Sequence, residues 1–254
     1  MDNPTLEVIH KHASVRHYKP EPLPASVVET IVAAAQCAST SSNLQMYSVV
    51  AVTDSSVREQ FAQLINNQNQ IREAPVFLVW CADLARLDHV CELRGYTQVT
   101  GYVEKFLAAV VDVALAAQNA ALAAESLGFG ICYIGNIRNI LTETIELLQL
   151  PRLTFPVAGM TVGWPLKELH PHPRLPLNAI LHWEKYRSEQ DESLHQYDRT
   201  MVETGLYHGR QVPVPGNPNE LEDYGWLEHS ARRVSKAERT NLSAILEKQG
   251  FGLS

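Results

Sequence analysis

The sequence predicts a layered domain, α/β or α+β, in which strands alternate with helices, and three observations predict it. The runs 47–53 (YSVVAVT) and 76–81 (VFLVWC) are apolar and rich in β-branched residues, as strands with buried faces are. Helix-like segments stand between the strand candidates, the pattern of a sheet covered by helices. The stretch from Val111 to Gly128 carries so few polar residues that a helix there must be buried on nearly every side.

Taken in order, residues 6–11 read as a short first helix, with Asn3 and Pro4 as start signals. Pro20 to Pro24 make a rigid connector. Ser26 and Glu29 have capping-box spacing ahead of a small-residue helix that reaches Ala38. The first strand, 47–53, leads into a helix over 56–65 and then the second strand, 76–81. Residues 83–101 are polar and irregular, an excursion or a short helix. The long apolar helix follows and ends at Gly128 as a C-cap. Residues 131–134 form the third strand, 143–148 lie in a helix, and 157–162 form the fourth strand. Pro165, Pro171, Pro173 and Pro176 exclude regular structure and leave a stiff loop. Helix-like segments at about 189–204 and 226–249 flank a loop rich in Pro and Gly at 209–216.

With 254 residues, 45% of them hydrophobic, the chain can bury a substantial core. A net charge of −7 argues against a nucleic-acid surface, so any bound phosphate needs a local cluster of Arg, His and backbone donors. The cysteines Cys37, Cys81, Cys91 and Cys132 have neither CxxC nor metal-ligand spacing. Cys37, Cys81 and Cys132 stand among apolar or small residues and read as reduced core residues. The ten histidines show no HExxH spacing, and no metal is expected. The N-terminus has no signal-peptide character. Asp112 interrupts the most apolar run, so no membrane span is expected either and the protein reads as cytoplasmic.

Five segments carry possible chemistry. His12-Ala13-Ser14-Val15-Arg16 offers an imidazole, a hydroxyl and a guanidinium within five positions. An Arg fork matches a phosphate bidentately, although the pentad alone reads as a surface turn with an ordinary arginine. Thr40-Ser41-Ser42-Asn43 is a hydroxyl run at a helix-to-strand junction. Gln68 lies in a polar loop, and its amide can both donate and accept. Tyr133-Ile134-Gly135-Asn136 ends a strand in a turn whose backbone N–H groups can face a ligand. His172-Pro-Arg174-Leu-Pro176 places two cationic groups in a stiff loop. Gly128-Phe-Gly130 is not a GxGxxG fingerprint, and no P-loop is present.

Together these segments resemble the nitroreductase-like flavoproteins, above all the oxygen-insensitive NADPH nitroreductases and NADPH–flavin oxidoreductases, from about Thr5 to Phe251. The resemblance implies a three-layer α/β/α fold of the α+β class, with a mixed, mostly antiparallel sheet flanked by helices. It implies one domain over 1–254, whose C-terminal extension from about 184 wraps the partner of an obligate homodimer. It further implies bound FMN, NADPH as co-substrate and a ping-pong cycle. In that cycle hydride passes from NADPH to flavin N5, then two electrons pass to a small-molecule acceptor: a nitroarene, a quinone or free flavin.

By the same resemblance His12 to Arg16, His172 and Arg174 hold the FMN phosphate and ribityl chain. Thr40, Ser41 and Ser42 approach the ring, Gln68 meets its pyrimidine side, and the turn Tyr133 to Asn136 faces N5 and O4. Asn43 belongs to the substrate pocket, Arg210 to the 2′-phosphate of NADPH, and Arg239 to the pocket of the partner subunit. No side chain is expected to act as nucleophile or base, since the flavin carries the chemistry. The chain departs from the usual pattern at Asn43 (an aromatic or other bulky residue is common there), at Asn136 (Gly) and at His172 (Lys). The other readings are a flavin reductase feeding a monooxygenase, a non-catalytic flavin-binding redox sensor, and a flavin-free structural dimer.

Overall fold

A computed structural model describes residues 3–252. Its elements in chain order are α1 (Pro4–His10), α2 (Ala25–Gln36), β1 (Tyr47–Val52), α3 (Ser55–Leu64), α4 (Asn69–Glu73), β2 (Val76–Asp83), α5 (Ala85–Arg94) and α6 (Val103–Ser126). There follow β3 (Gly130–Ile134), α7 (Leu141–Leu147), β4 (Thr154–Gly163), α8 (Asp191–Glu203), β5 (Gln211–Val214), β6 (Asn217–Asp223), α9 (Trp226–Val234) and α10 (Leu242–Lys248). They form two compact units, one running to Pro171 and resuming at Arg239, the other His172–Glu238.

In the first unit β2 sets the plan. All of its residues are buried, because it is an inner strand of the order β1-β2-β4-β3 with helices on both faces. Its side chains alternate as a pleat requires: Leu78, Trp80 and Ala82 enter one core, Phe77, Val79 and Cys81 the other. The first core is closed by α2 and α6 through Ile31, Ala35, Ala116, Ala120 and Ala124. The second is closed by α3 and α4 through Phe61, Ala62, Ile65 and Ile71. These are the three expected layers, and every pairing within the sheet is antiparallel.

Side-chain caps moved several boundaries. Asn3 does cap α1, accepting from Thr5 N and Leu6 N at 3.0 and 3.3 Å. The Ser26–Glu29 capping box does not form: α2 begins two residues earlier, behind Pro24, and Ser26 lies inside its first turn. Asp54 caps α3 through Ser56 N and Val57 N. Residues 83–101 contain a defined helix, α5, ended by Gly95 at φ +73°. The fourth strand starts at Thr154 because Pro156 sits where β2 shifts register at Trp80/Cys81, a place where a strand tolerates proline. Cys37 caps α2 and is exposed, unlike the buried Cys81 and Cys132. Burial first, and then the nearby Asp83 charge, pushes the Cys81 thiol up to about 12.

Two expectations fail at larger scale. The helix read over 226–249 is two helices, α9 and α10, which belong to different units. The Pro/Gly loop at 209–216 is the start of a hairpin, β5–β6, turning at Gly216 with φ +82°. Its prolines argued against a strand, yet an exposed two-stranded ribbon has open edges that need no donor there.

The long helix α6 is also not buried on every side. Val103, Leu107, Val111 and Leu115, four residues apart, are 43–55% exposed in one stripe. By length and composition α6 could cross a membrane, but its alanine face packs against the sheet and α2.

Candidate functional site

β3 is an edge strand, so one side of its backbone has no strand partner. The loop 12–16 docks there through Val15 N, which donates to Ile131 O at 2.8 Å. In an antiparallel ladder the N–H and C=O of one residue point the same way and alternate along the strand. The outward Ile131 therefore makes Tyr133 outward too, and Gly135 next beyond the strand end. Val15 covers the start of this edge, and the backbone donors past it are offered to whatever lies alongside.

A missing side chain makes that docking possible. A Cβ on Gly130 would lie 2.2 Å from Val15 Cγ2, inside van der Waals contact. Tyr18 anchors the far end of the loop: its hydroxyl donates to Val15 O at 2.9 Å and meets Thr161 Oγ1 at 2.7 Å. Its backbone N–H donates to Glu73 at 3.2 Å. Burial raises the Tyr18 phenol well above its ordinary value, so it stays a neutral donor. Gly130→Ala is expected to push Val15 off the strand and to cost about 1–3 kcal/mol, the usual range for overpacking. A urea melt with an unchanged midpoint would refute that.

This arrangement leaves Arg16 exposed and Ser14 half-buried at the sheet edge, while His12 turns inward to Glu125 of α6, with Nδ1 and Oε1 2.5 Å apart. Gln68 precedes α4, which is fastened to α3 by a bidentate Arg72–Glu59 pair. Those hydrogen bonds hold the exposed Glu59 carboxyl down to about 2. Gln68 itself accepts from Gln70 Nε2 at 2.9 Å.

Beyond β3, residues Gly135–Asn139 form a 3₁₀ turn. Its Arg138 donates to Val157 O at 2.6 Å, and Asn139 accepts from Arg239 Nε at 2.8 Å. Burial first, and then the Arg239 charge, lowers the Arg138 pKa. Arg239 is thereby tied to the turn that follows Tyr133–Asn136.

The hydroxyl run stands elsewhere. Ser41–Asn43 form a 3₁₀ turn leading into β1, and Ser42, Asn43 and Gln45 all have left-handed backbone, at φ 49°, 57° and 52°. Strain of this kind persists only where surroundings impose it. Asp112 of α6, 1% exposed, accepts from Ser41 N at 2.8 Å and from Met46 N at 3.0 Å. Arg86 of α5 adds a second brace, donating to Gln45 O and Tyr47 O. Asp112 and Glu125 are thirteen residues apart on α6, about 20 Å along its axis. Within one chain, then, the loop 12–16 and the strand end 133–136 share an edge, and the loop 40–45 does not join them.

In the second unit His172 and Arg174 are exposed in an extended loop, pinned between them by Tyr197, whose hydroxyl donates to Pro173 O at 3.0 Å. Arg210 is exposed at the base of the hairpin, where its N–H donates to Tyr207 O and its C=O accepts from Tyr224 N. Among the described residues no three His, Cys, Asp or Glu side chains converge as a metal site.

Sequence reasoning gave no role to Asp112, Glu125, Tyr18 or Arg86. Asp112 did carry a signal, as the one acid in the run 106–117, where by sequence it reads only as an interruption. Glu125 carried none.

An antiparallel sheet between helices, with an open edge at β3 and an arginine-bearing loop docked beside it, defines an α+β protein with groups able to bind an anion along a sheet edge. The profile of the nitroreductase family matches residues 9–164, and that of its C-terminal domain matches 172–254. The chain belongs to the nitroreductase family. It is 36% identical to the oxygen-insensitive NADPH nitroreductase of Salmonella typhimurium, with 98% of each chain covered. It is 35% identical to the FMN reductase (NADPH) of Bacillus subtilis, again with 98% of each covered. The solved structure of NfrA2 from B. megaterium superposes with a TM-score of 0.91 at 33% identity, over 100% of both chains.

Proposed function

We propose that the protein is a homodimeric FMN-dependent oxidoreductase that takes hydride from NADPH and reduces a small-molecule acceptor in a ping-pong cycle. The observation that carries this is the open edge of β3, where the outward backbone of Tyr133 and Gly135 lies past the docked loop 12–16. The donor set fits FMN: Arg16 and Ser14 suit a phosphate, and neutral backbone N–H groups suit an electron-accepting ring edge. Gln68 can both donate to and accept from the pyrimidine side. The near relatives named as an NADPH nitroreductase and an FMN reductase support the same cofactor and co-substrate.

When bound, FMN supplies the redox chemistry, accepting hydride at N5 and passing two electrons to a nitroaromatic, a quinone or free flavin. The protein's own groups bind and orient. Thr40, Ser41, Ser42 and Asn43 lie in a strained loop braced by Asp112 and Arg86. His172 and Arg174 are proposed as further phosphate ligands, and Arg210 and Arg239 as contacts of NADPH. We take the protein to act in the cytoplasm.

The dimer rests on the α6 stripe of Val103, Leu107, Val111 and Leu115, an apolar row that a second copy would cover. It also rests on the separation of the loop 40–45 from the β3 edge within one chain.

A flavin reductase that releases reduced FMN is the second reading, favoured by the likeness to the FMN reductase. Steady-state competition between FMN and a nitroarene would separate the two. The primary test is the visible spectrum of the purified protein before and after anaerobic NADPH. Flavin bands that bleach are the expected result; a colourless protein that takes up no added FMN overturns the proposal.

A further inference from the structure

Glu125 stands where local rules disfavour it. It lies in the last turn of α6, at the end of the helix where the dipole opposes negative charge. Its side chain is only 11% exposed, and its Oε2 is buried without a hydrogen-bond partner. Burial, dipole and an unsatisfied oxygen all make this a costly place for an acidic side chain. The offsetting contact is Oε1 at 2.5 Å from Nδ1 of His12, a residue 113 positions away. Tyr133 feels the same carboxylate: burial raises its phenol first and the Glu125 charge raises it further, and its hydroxyl too is buried without a partner. Glu125 thus sits between the loop 12–16 and the strand end at Tyr133, the two segments that meet along the open edge. With Ala13, Val15 and Gly130 it also lines a cavity beside that loop.

We propose that Glu125 is the positioning residue of the cofactor site: it accepts a hydrogen bond from Nδ1–H of His12 and thereby fixes the ring so that Nε2 is left as an acceptor for a ribityl hydroxyl of the bound flavin nucleotide. An imidazole has two nitrogens, and the partner of one decides what the other can do. Unpaired, the ring of His12 would exchange tautomers and rotate. Paired, it is one preset group on the docked loop, and less order has to be imposed when the ligand arrives. This inference rests on the reading of the edge as an FMN site.

The test uses the full-length protein, stripped of flavin, in three forms: wild type, Glu125→Ala and Glu125→Gln. Long-range ¹⁵N–¹H spectra of histidine-labelled protein at pH 8 report which ring nitrogen carries the proton. Fluorescence titration with FMN reports affinity. In the wild type Nδ1 of His12 should be protonated. In Glu125→Ala it should lose that proton to Nε2, and the FMN dissociation constant should rise about tenfold. Glu125→Gln, which keeps an acceptor, should stay within about threefold of wild type. An unchanged tautomer in Glu125→Ala, or a changed tautomer with unchanged FMN affinity, overturns the proposal. Failure of the wild type itself to take up FMN overturns the cofactor reading, and this role of Glu125 with it, whatever the tautomer spectra show.

Discussion

Asp112→Ala lowers the free energy of unfolding by about 2–4 kcal/mol and abolishes tight FMN binding, although Asp112 lies in a helix interior where alanine is the best-tolerated residue. Two hydrogen bonds to an ionised acceptor are lost, each worth about 1.5–3 kcal/mol, and Ser41 N and Met46 N are left without their acceptor. Part of this is offset, because a carboxylate 1% exposed no longer has to be stripped of water. Release of the left-handed backbone at Ser42, Asn43 and Gln45 offsets a further part, and loss of the hydrogen bonds still wins. Each such residue costs roughly 1–2 kcal/mol to hold, so the loop 40–45 relaxes once released. Arg86 still grips Gln45 O and Tyr47 O, so the change should stay local to the loop and the start of β1. Denaturation with an unchanged m-value and a lower midpoint is the expected signature. A variant within 1 kcal/mol of wild type that binds FMN normally would show that the brace is dispensable.

Val111→Glu is expected to break the proposed dimer into monomers. In a single chain Val111 is 47% exposed on the α6 stripe, so the monomer should lose less than about 1 kcal/mol of stability. In a dimer that covers the stripe, the new carboxylate would be stripped of water beside Leu107 and Leu115 with no cation on that row, a penalty of several kcal/mol. At about 1.4 kcal/mol per factor of ten, the dimer should weaken at least a thousandfold. Because the loop 40–45 stands apart from the β3 edge within one chain, flavin binding should fall with the dimer. Sedimentation equilibrium decides the matter. A wild type at the mass of one chain, or a Val111→Glu variant that stays dimeric, would remove α6 from the interface.

The layers were legible in the sequence because their causes are local. An apolar, β-branched run of strand length is β2 wherever it folds, and an alanine-rich stretch closed by glycine is the helix α6. The loop 12–16 and the turn after β3 could be located for the same reason, as short contiguous motifs. Helix starts were less legible: Asp54 caps α3, and α2 starts behind Pro24 with no side-chain cap, ahead of the Ser26–Glu29 spacing. The hairpin β5–β6 was hidden because its prolines argue against strands, whereas its pairing depends on a partner strand across the turn.

What the sequence by itself determined is therefore the set of elements, the order in which they come, and the families of residue able to grip an anion. Only the tertiary structure decided which of those residues are held, and by what. Ser41 and Met46 are 71 and 66 positions from Asp112, and His12 is 113 from Glu125. No periodicity or spacing rule reaches that far. A carboxylate in an apolar helix reads as an interruption until folding places two N–H groups, or an imidazole, against it.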